Sequence, residues 1–276
     1  NQIFTSMQRT DIISSRREGS RLIDGKQKRE MQEYYVVKSN DLIQKARYSL
    51  TVQQQKLILF AISKIKKGDP YDKVYELSID ECCSVMGLEY DTGGYYYKAI
   101  KDDLVKLTNR LWVRFDDREA TVAWISDAEI IPLSGTVYIR FHEKMTPYLF
   151  DLQNRYTQYQ LYEVLVLKGK YSLRLYELLR SYVMQDELRD GKEKEVSFTV
   201  DELRKLLCCE NYKRWAEFDR CVLRKAVDEI NATSDIIKVS YDTYKRGKTV
   251  TRINFIIDYP NLMEKFAAHN DQRKRL

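Results

Sequence analysis

Tyr75-Glu76-Leu77-Ser78-Ile79-Asp80-Glu81 and Glu195-Val196-Ser197-Phe198, the latter followed by Asp201-Glu202, carry the same local message twice. Each is a short run of alternating apolar and polar residues leading into an acidic pair. Alternation is the period of a half-buried strand, and acidic residues suit the first turn of a helix, where they meet the positive end of its dipole. Both stretches therefore read as a strand entering a short helix. Glu76-Leu77-Ser78-Ile79 aligns with Glu195-Val196-Ser197-Phe198.

The surroundings repeat as well. Upstream of the first stretch, Thr51 caps a helix reaching about residue 66, with Leu57, Ile58, Ala61, Ile62 and Ile65 on one face, and Gly68-Asp69-Pro70 stops it. Downstream, the short helix runs to Met86 and ends at Gly87. Asp91-Thr92-Gly93-Gly94 turns the chain into a longer helix over 95–110, and strands follow at 111–115, 121–126, 129–133 and 137–141. In the second half a helix over 172–184 and a turn at Asp190-Gly191 precede the strand. The short helix ends near Cys208, a long helix covers 211–233, and β-rich runs at 236–244 and 249–257 flank Lys245-Arg246-Gly247-Lys248, a hairpin signal. Helix, strand, short helix, turn, long helix and β-hairpin is the winged-helix order. The chain reads as α+β, with two tandem winged-helix domains. The competing reading is an unrelated α+β domain whose halves resemble each other by chance.

Composition agrees with a folded, water-soluble chain. It has 276 residues, of which 43% are hydrophobic, enough for a core, and 32% are charged, against a typical value of about 25%. Lys+Arg 47 less Asp+Glu 41 leaves +6. No apolar run approaches the roughly 18 residues of a membrane-spanning helix. Residues 1–33 read as a basic flexible tail and 259–276 as a frayed C-terminal tail. No secretory signal is evident, so the expected location is the cytoplasm, with Met7 or Met31 as candidate starts. Cys82, Cys83, Cys208, Cys209 and Cys221 are odd in number and lack metal spacing, so they read as small buried thiols.

At 100° per residue, Trp215, Phe218, Val222, Ala226 and Ile230 share one side of the long second-half helix. Lys213, Glu217, Arg220 and Arg224 face away, flanked by Arg214 and Lys225. Any amphipathic helix has a solvated face, so this pattern alone is weak. Its placement is stronger. The basic residues crowd the first turns, the part of a recognition helix that meets base edges, where Lys213 and Arg214 oppose the helix dipole. The hairpin adds Lys245, Arg246 and Lys248, with Arg252 behind. From Asn211 to Arg252 there are ten basic and six acidic residues, so position carries more than total charge. Tyr212 is a further candidate DNA contact. In the first unit Tyr95, Lys98 and Lys106 face out with Lys101 at the edge, a less basic face suited to phosphates or a protein partner.

Catalytic signatures are missing from the sequence. Gly247-Lys248-Thr249 ends like a phosphate-binding loop, but Asp242 stands where its first glycine belongs. Neither His142 nor His269 has a partner spaced for a metal, and His142 reads as structural. No enzyme activity, metal or cofactor is expected.

Four blocks resemble the iteron-binding plasmid replication initiators (the Initiator Replication, or Rep, family). They are Tyr34 to Ile43 with Leu50 to Lys56; Thr146 to Leu149 with Leu152 to Tyr159; Tyr171 to Leu179; and Phe218 to Asn231. The resemblance implies a first winged-helix domain over 34–168, for dimerisation and DNA-backbone contacts. It implies a second over 169–258, for sequence-specific binding. It further implies double-stranded DNA partners (origin iterons and an operator), a homodimer in equilibrium with monomer, origin melting, and recruitment of a host initiator, replicative helicase and chaperones. A bacterial cytoplasm, on plasmid DNA, is the implied setting. A winged-helix transcription regulator and a protein-interaction module are the alternatives.

Overall fold

The computed structural model describes residues 34–88, 94–114, 119–131, 134–183, 193–234 and 236–259. The two expected tails, apart from Tyr259, lie outside the described residues, as do the turns Asp91-Thr92-Gly93 and Asp190-Gly191. The first unit comprises β1 (Tyr35–Ser39), α1 (Asn40–Gln44), α2 (Val52–Ser63), β2 (Val74–Ser78), α3 (Ile79–Met86), α4 (Tyr95–Thr108), β3 (Leu111–Arg114), β4 (Glu119–Val122), β5 (Ile125–Ile131) and β6 (Thr136–Phe141). A 3-10 turn (Glu143–Met145) and α5 (Thr146–Leu149) lead on. The second unit comprises β7 (Tyr156–Gln160), α6 (Leu161–Leu165), α7 (Lys170–Arg180), β8 (Lys194–Thr199), α8 (Val200–Leu206), α9 (Trp215–Phe218), a π-helical turn (Asp219–Leu223), α10 (Arg224–Thr233), β9 (Lys238–Arg246) and β10 (Thr249–Asp258).

The duplication extends to the sheets. Their orders are β2-β6-β5 and β8-β10-β9, antiparallel throughout, so in each the strand before the short helix pairs with the last strand of the hairpin. The chain is α+β with two tandem winged-helix domains. The repeat also reaches further upstream than the sequence patterns indicate, because each unit opens with a strand and a short helix, β1-α1 and β7-α6.

Local chemistry explains the short helices. Ser78 caps α3 and Thr199 caps α8, each in a reciprocal box with Glu81 or Glu202, which satisfies amide groups the first turn leaves unpaired. These caps set Ser78 against Thr199 and so Leu77 against Phe198. Aligning Ser78 with Ser197 is out of phase by one strand period, a slip that keeps every side chain on the correct face and is invisible to pattern reading.

Three expectations change. The helix begun by Thr51 ends at Ser63, and it is buried on all sides from Gln54 to Ile62 rather than along one stripe. It is the central rod of the first unit, packed by α3, α4, α6, α7 and β1. Its polar residues are therefore bonded: Gln54 Nε2 donates to Asp103 Oδ1 at 2.9 Å and Lys56 Nζ to the Leu165 carbonyl at 2.6 Å. Burial pulls the Lys56 pKa down. The strand expected over 121–126 is interrupted at Ala123-Trp124. Trp124 is buried, and its N–H donates to Leu107 O at 3.1 Å while its carbonyl accepts from His142 N–H at 3.2 Å, which takes it off the ladder. The helix expected over 172–184 is α7, Lys170–Arg180.

The units meet through β1 and β7, which form a two-stranded antiparallel pair. Lys38 of β1 is buried, and its Nζ lies 2.7 Å from Glu177 Oε1 on α7. Tyr159 Oη donates to the same oxygen at 2.5 Å. Arg174, one turn earlier on α7, donates to the carbonyls of Ile43 and Ala46 at 2.7 and 2.8 Å. Burial works to raise the Glu177 pKa, but the charges of Lys38 and Arg174 prevail and hold it below the ordinary carboxylate value. The hydrophobic core is continuous across this junction. All five cysteines are free; Cys82, Cys83 and Cys209 are buried, whereas Cys208 and Cys221 are only half-buried.

Candidate nucleic-acid interface

In the second unit, α8 and the helix beginning with α9 form the helix-turn-helix. The turn is pinned by Arg204 of α8. Its Nη2 donates to the Lys213 carbonyl at 2.9 Å, and its guanidinium lies 5.2 Å from the Phe218 ring centre. Phe218 is fully buried and meets Trp215 edge-on at 6.0 Å, so the first turn of α9 is anchored by rings. The helix starts at Trp215, with Arg214 as its N-cap. Lys213 and Arg214 thus belong to the entry turn and not to the helix body, and they still stand at the positive end of its dipole.

Lys213, Arg214, Arg220, Arg224 and Lys225 are exposed. Glu217 is half-buried, with its carboxylate 4.0 Å from Arg214. Tyr212 is half-buried and packs edge-on against Tyr171 at 6.5 Å.

Between α9 and α10 the backbone takes one π-helical turn, in which the Arg224 N–H donates to the Asp219 carbonyl. A wheel at 100° per residue separates positions five apart by about 140°, whereas a π turn brings them into register. Arg224 Nη2 donates to Asp219 Oδ2 at 2.7 Å, and Tyr241 Oη of β9 donates to Asp219 Oδ1 at 2.5 Å. Sequence reading missed Asp219 and Tyr241. Its one signal was an acid five residues before Arg224, which the wheel assigns to a different face.

β9 and β10 form the wing. Arg246 pairs with Thr249 across the two-residue loop Gly247-Lys248, and Gly247 has φ +62°. Glycine at the first loop position with positive φ matches the hairpin turn that follows strand twist. Beyond Tyr241 the rest of β9 is exposed, including Lys245 and Arg246, and Lys248 and Arg252 are exposed too. Tyr244, unremarked in the sequence, projects from the same wing and is 56% exposed.

In the first unit α4 begins at Tyr95 behind Gly94, whose φ of +71° suits glycine and which supplies no side-chain cap. Tyr95 is 68% exposed, and Lys98, Lys101 and Lys106 are exposed. Lys106 lies 3.9 Å from Asp103, and the exposed Val105 interrupts the polar face. This surface is less basic than its counterpart. His142 caps the 3-10 turn that follows, its Nδ1 accepting from Lys144 N–H at 3.2 Å. Among the described residues no group of three or more His, Cys, Asp or Glu could hold a metal, and no helix is long and apolar enough to cross a membrane.

Comparison with known proteins also finds two units, the first extending through β7, α6 and α7. A family model described as Initiator Replication protein, WH1, matches residues 35–180, and one described as Initiator Rep protein, WH2, matches residues 199–257. A Replication initiation protein of Escherichia coli is 25% identical over 243 residues, covering 85% of this chain and 72% of its own. The PI protein of Escherichia coli is 22% identical over 242 residues, covering 75% of this chain and 77% of its own. The crystal structure of Pi initiator protein in complex with iteron DNA matches with a TM-score of 0.68 at 20% identity. It covers 83% of this chain and 98% of that one, a likeness of fold.

Proposed function

The chain belongs to the Initiator Replication protein family, and from that premise we propose that it is a plasmid replication initiator that binds repeated double-stranded DNA sites at an origin. The observation that carries this reading is the second unit's surface. Exposed basic residues concentrate there: Arg220, Arg224 and Lys225 on one helix, Lys213 and Arg214 at its entry, and Lys245, Arg246, Lys248 and Arg252 on the adjoining wing. The related Pi initiator protein has been crystallised with iteron DNA, which supports the same role here.

In this reading the second winged-helix domain, over 169–258 and so without the β7-α6 pair that precedes it, reads sequence, with Arg220 and Arg224 at base edges and the wing on phosphates. The first, over 34–168, adds backbone contacts through Tyr95, Lys98, Lys101 and Lys106 and provides the dimer surface. The monomer initiates, and the dimer represses the promoter. Host replication proteins are recruited to the melted origin. The setting is the bacterial cytoplasm, and no catalysis or cofactor is involved.

Gel shift against DNA flanking the gene tests the first claim: a specific, salt-sensitive shift is expected, and its absence favours a protein-interaction module. Autonomous replication of a plasmid carrying the gene and its flanking DNA separates an initiator from a transcription regulator. Lys248→Ala should weaken binding alike on all sequences and lower the salt slope by about 1, and an unchanged slope removes the wing contact. Arg220→Ala should cost about 1–3 kcal/mol of discrimination at one base pair, measured by competition between single-substituted sites.

A further inference from the structure

Asp219 is an acid placed among cations. Its side chain is 12% exposed, while that of its partner Arg224 is 63% exposed. The two carboxylate oxygens are divided between two elements: Oδ2 accepts from Arg224 Nη2 at 2.7 Å on the helix, and Oδ1 accepts from Tyr241 Oη at 2.5 Å on the wing. The Tyr241 ring packs against Phe255 of β10, centres 6.0 Å apart, which fixes the hydroxyl. Burial and the neighbouring Asp219 push that hydroxyl's pKa up to about 12, so it stays a donor at neutral pH. The π turn makes the arrangement by bringing positions 219 and 224 together. The contact occupies one corner of a five-donor fork, which leaves donors for a base edge.

A free arginine on a basic surface is long, mobile and equally ready to meet any phosphate. A buttressed one presents its donors in one plane, the geometry that bidentate contact with guanine requires. We infer that Asp219, held by Tyr241, is a positioning residue for base reading: it fixes the Arg224 guanidinium before DNA arrives and keeps it from acting as a loose phosphate contact. This rests on the reading of α9–α10 as the DNA-contacting helix.

The test uses the full chain and a randomised duplex pool. Unmodified protein first selects its preferred site, and affinity for that site is then compared with affinity for an unrelated duplex. Asp219→Asn should lower the ratio about tenfold, with affinity for the unrelated duplex equal or higher and its salt dependence steeper. The lost preference should fall on the base pairs that Arg224→Ala also stops reading. In an Arg224→Ala background, Asp219→Asn should change nothing further. Tyr241→Phe should shift the ratio the same way by less, and it carries the test alone if Asp219→Asn unfolds. An unchanged ratio in both variants, or equal loss on both duplexes, overturns the inference and leaves DNA binding standing. If the unmodified protein enriches no sequence, the DNA-contact reading falls and this inference falls with it.

Discussion

Glu177→Ala should destabilise the protein by about 3–5 kcal/mol, the range for removing one partner of a buried ion pair. Lys38 is buried and its Nζ has Glu177 Oε1 at 2.7 Å, so deletion leaves an ammonium with Tyr48 Oη at 3.4 Å and the Trp124 ring at 6.0 Å but no anion among these contacts. Tyr159 loses its acceptor in the same step. Chemical denaturation at neutral pH measures the loss. Lys38→Met with Glu177→Leu should recover much of it, because the uncompensated charge is then gone. The pH dependence has a definite sign. A carboxyl whose folded pKa is depressed contributes fully at neutral pH, and its contribution is lost as pH falls below the ordinary carboxylate value toward the folded one. The unmodified protein should therefore lose stability over that acid range more steeply than Glu177→Gln. Parallel curves would contradict the assignment.

Phe218→Ala should cost about 3–5 kcal/mol, the usual range for emptying a buried phenylalanine site. Its ring is fully buried and is met by Trp215 on one side and the Arg204 guanidinium on another. Arg204 also holds the Lys213 carbonyl, so the cavity sits beneath the entry to the proposed reading helix. Hydrogen exchange should show amides of α9 and the preceding turn losing protection first, while α2 keeps its own. Affinity for DNA should fall with helix order, although Phe218 touches no solvent. Unaltered exchange across α9 would show that the turn is held elsewhere.

Much of this architecture was readable because it is local. The acidic pairs after alternating runs mark capped helices, and Lys245-Arg246-Gly247-Lys248 marks the wing. Exposure of the basic residues followed from helical period. What escaped reading depends on distance or on a change of period. Lys38 and Glu177 are 139 residues apart in sequence, and nothing local announces their pairing. The wheel sets Asp219 and Arg224 on different faces, and only the π turn, which the sequence does not announce, brings them together. The Tyr212–Tyr171 ring contact escaped reading because Tyr171, at the start of α7, is far from Tyr212 in sequence. Trp124 fell inside a β-rich run, yet its carbonyl is claimed by His142.

The pairing of β1 with β7 bears on how the chain is made. β1 leaves the ribosome well before β7 and α7, since Lys38 and Glu177 are 139 residues apart. Throughout that interval Val36 and Val37 sit on a strand with no neighbour, the kind of edge that recruits other nascent chains. Lys38 is then an unpaired, hydrated cation in the middle of that strand, and charge there discourages edge-to-edge association. The side chain that ends in the buried pair with Glu177 is thus one whose charge, while unpaired, works against association through that edge.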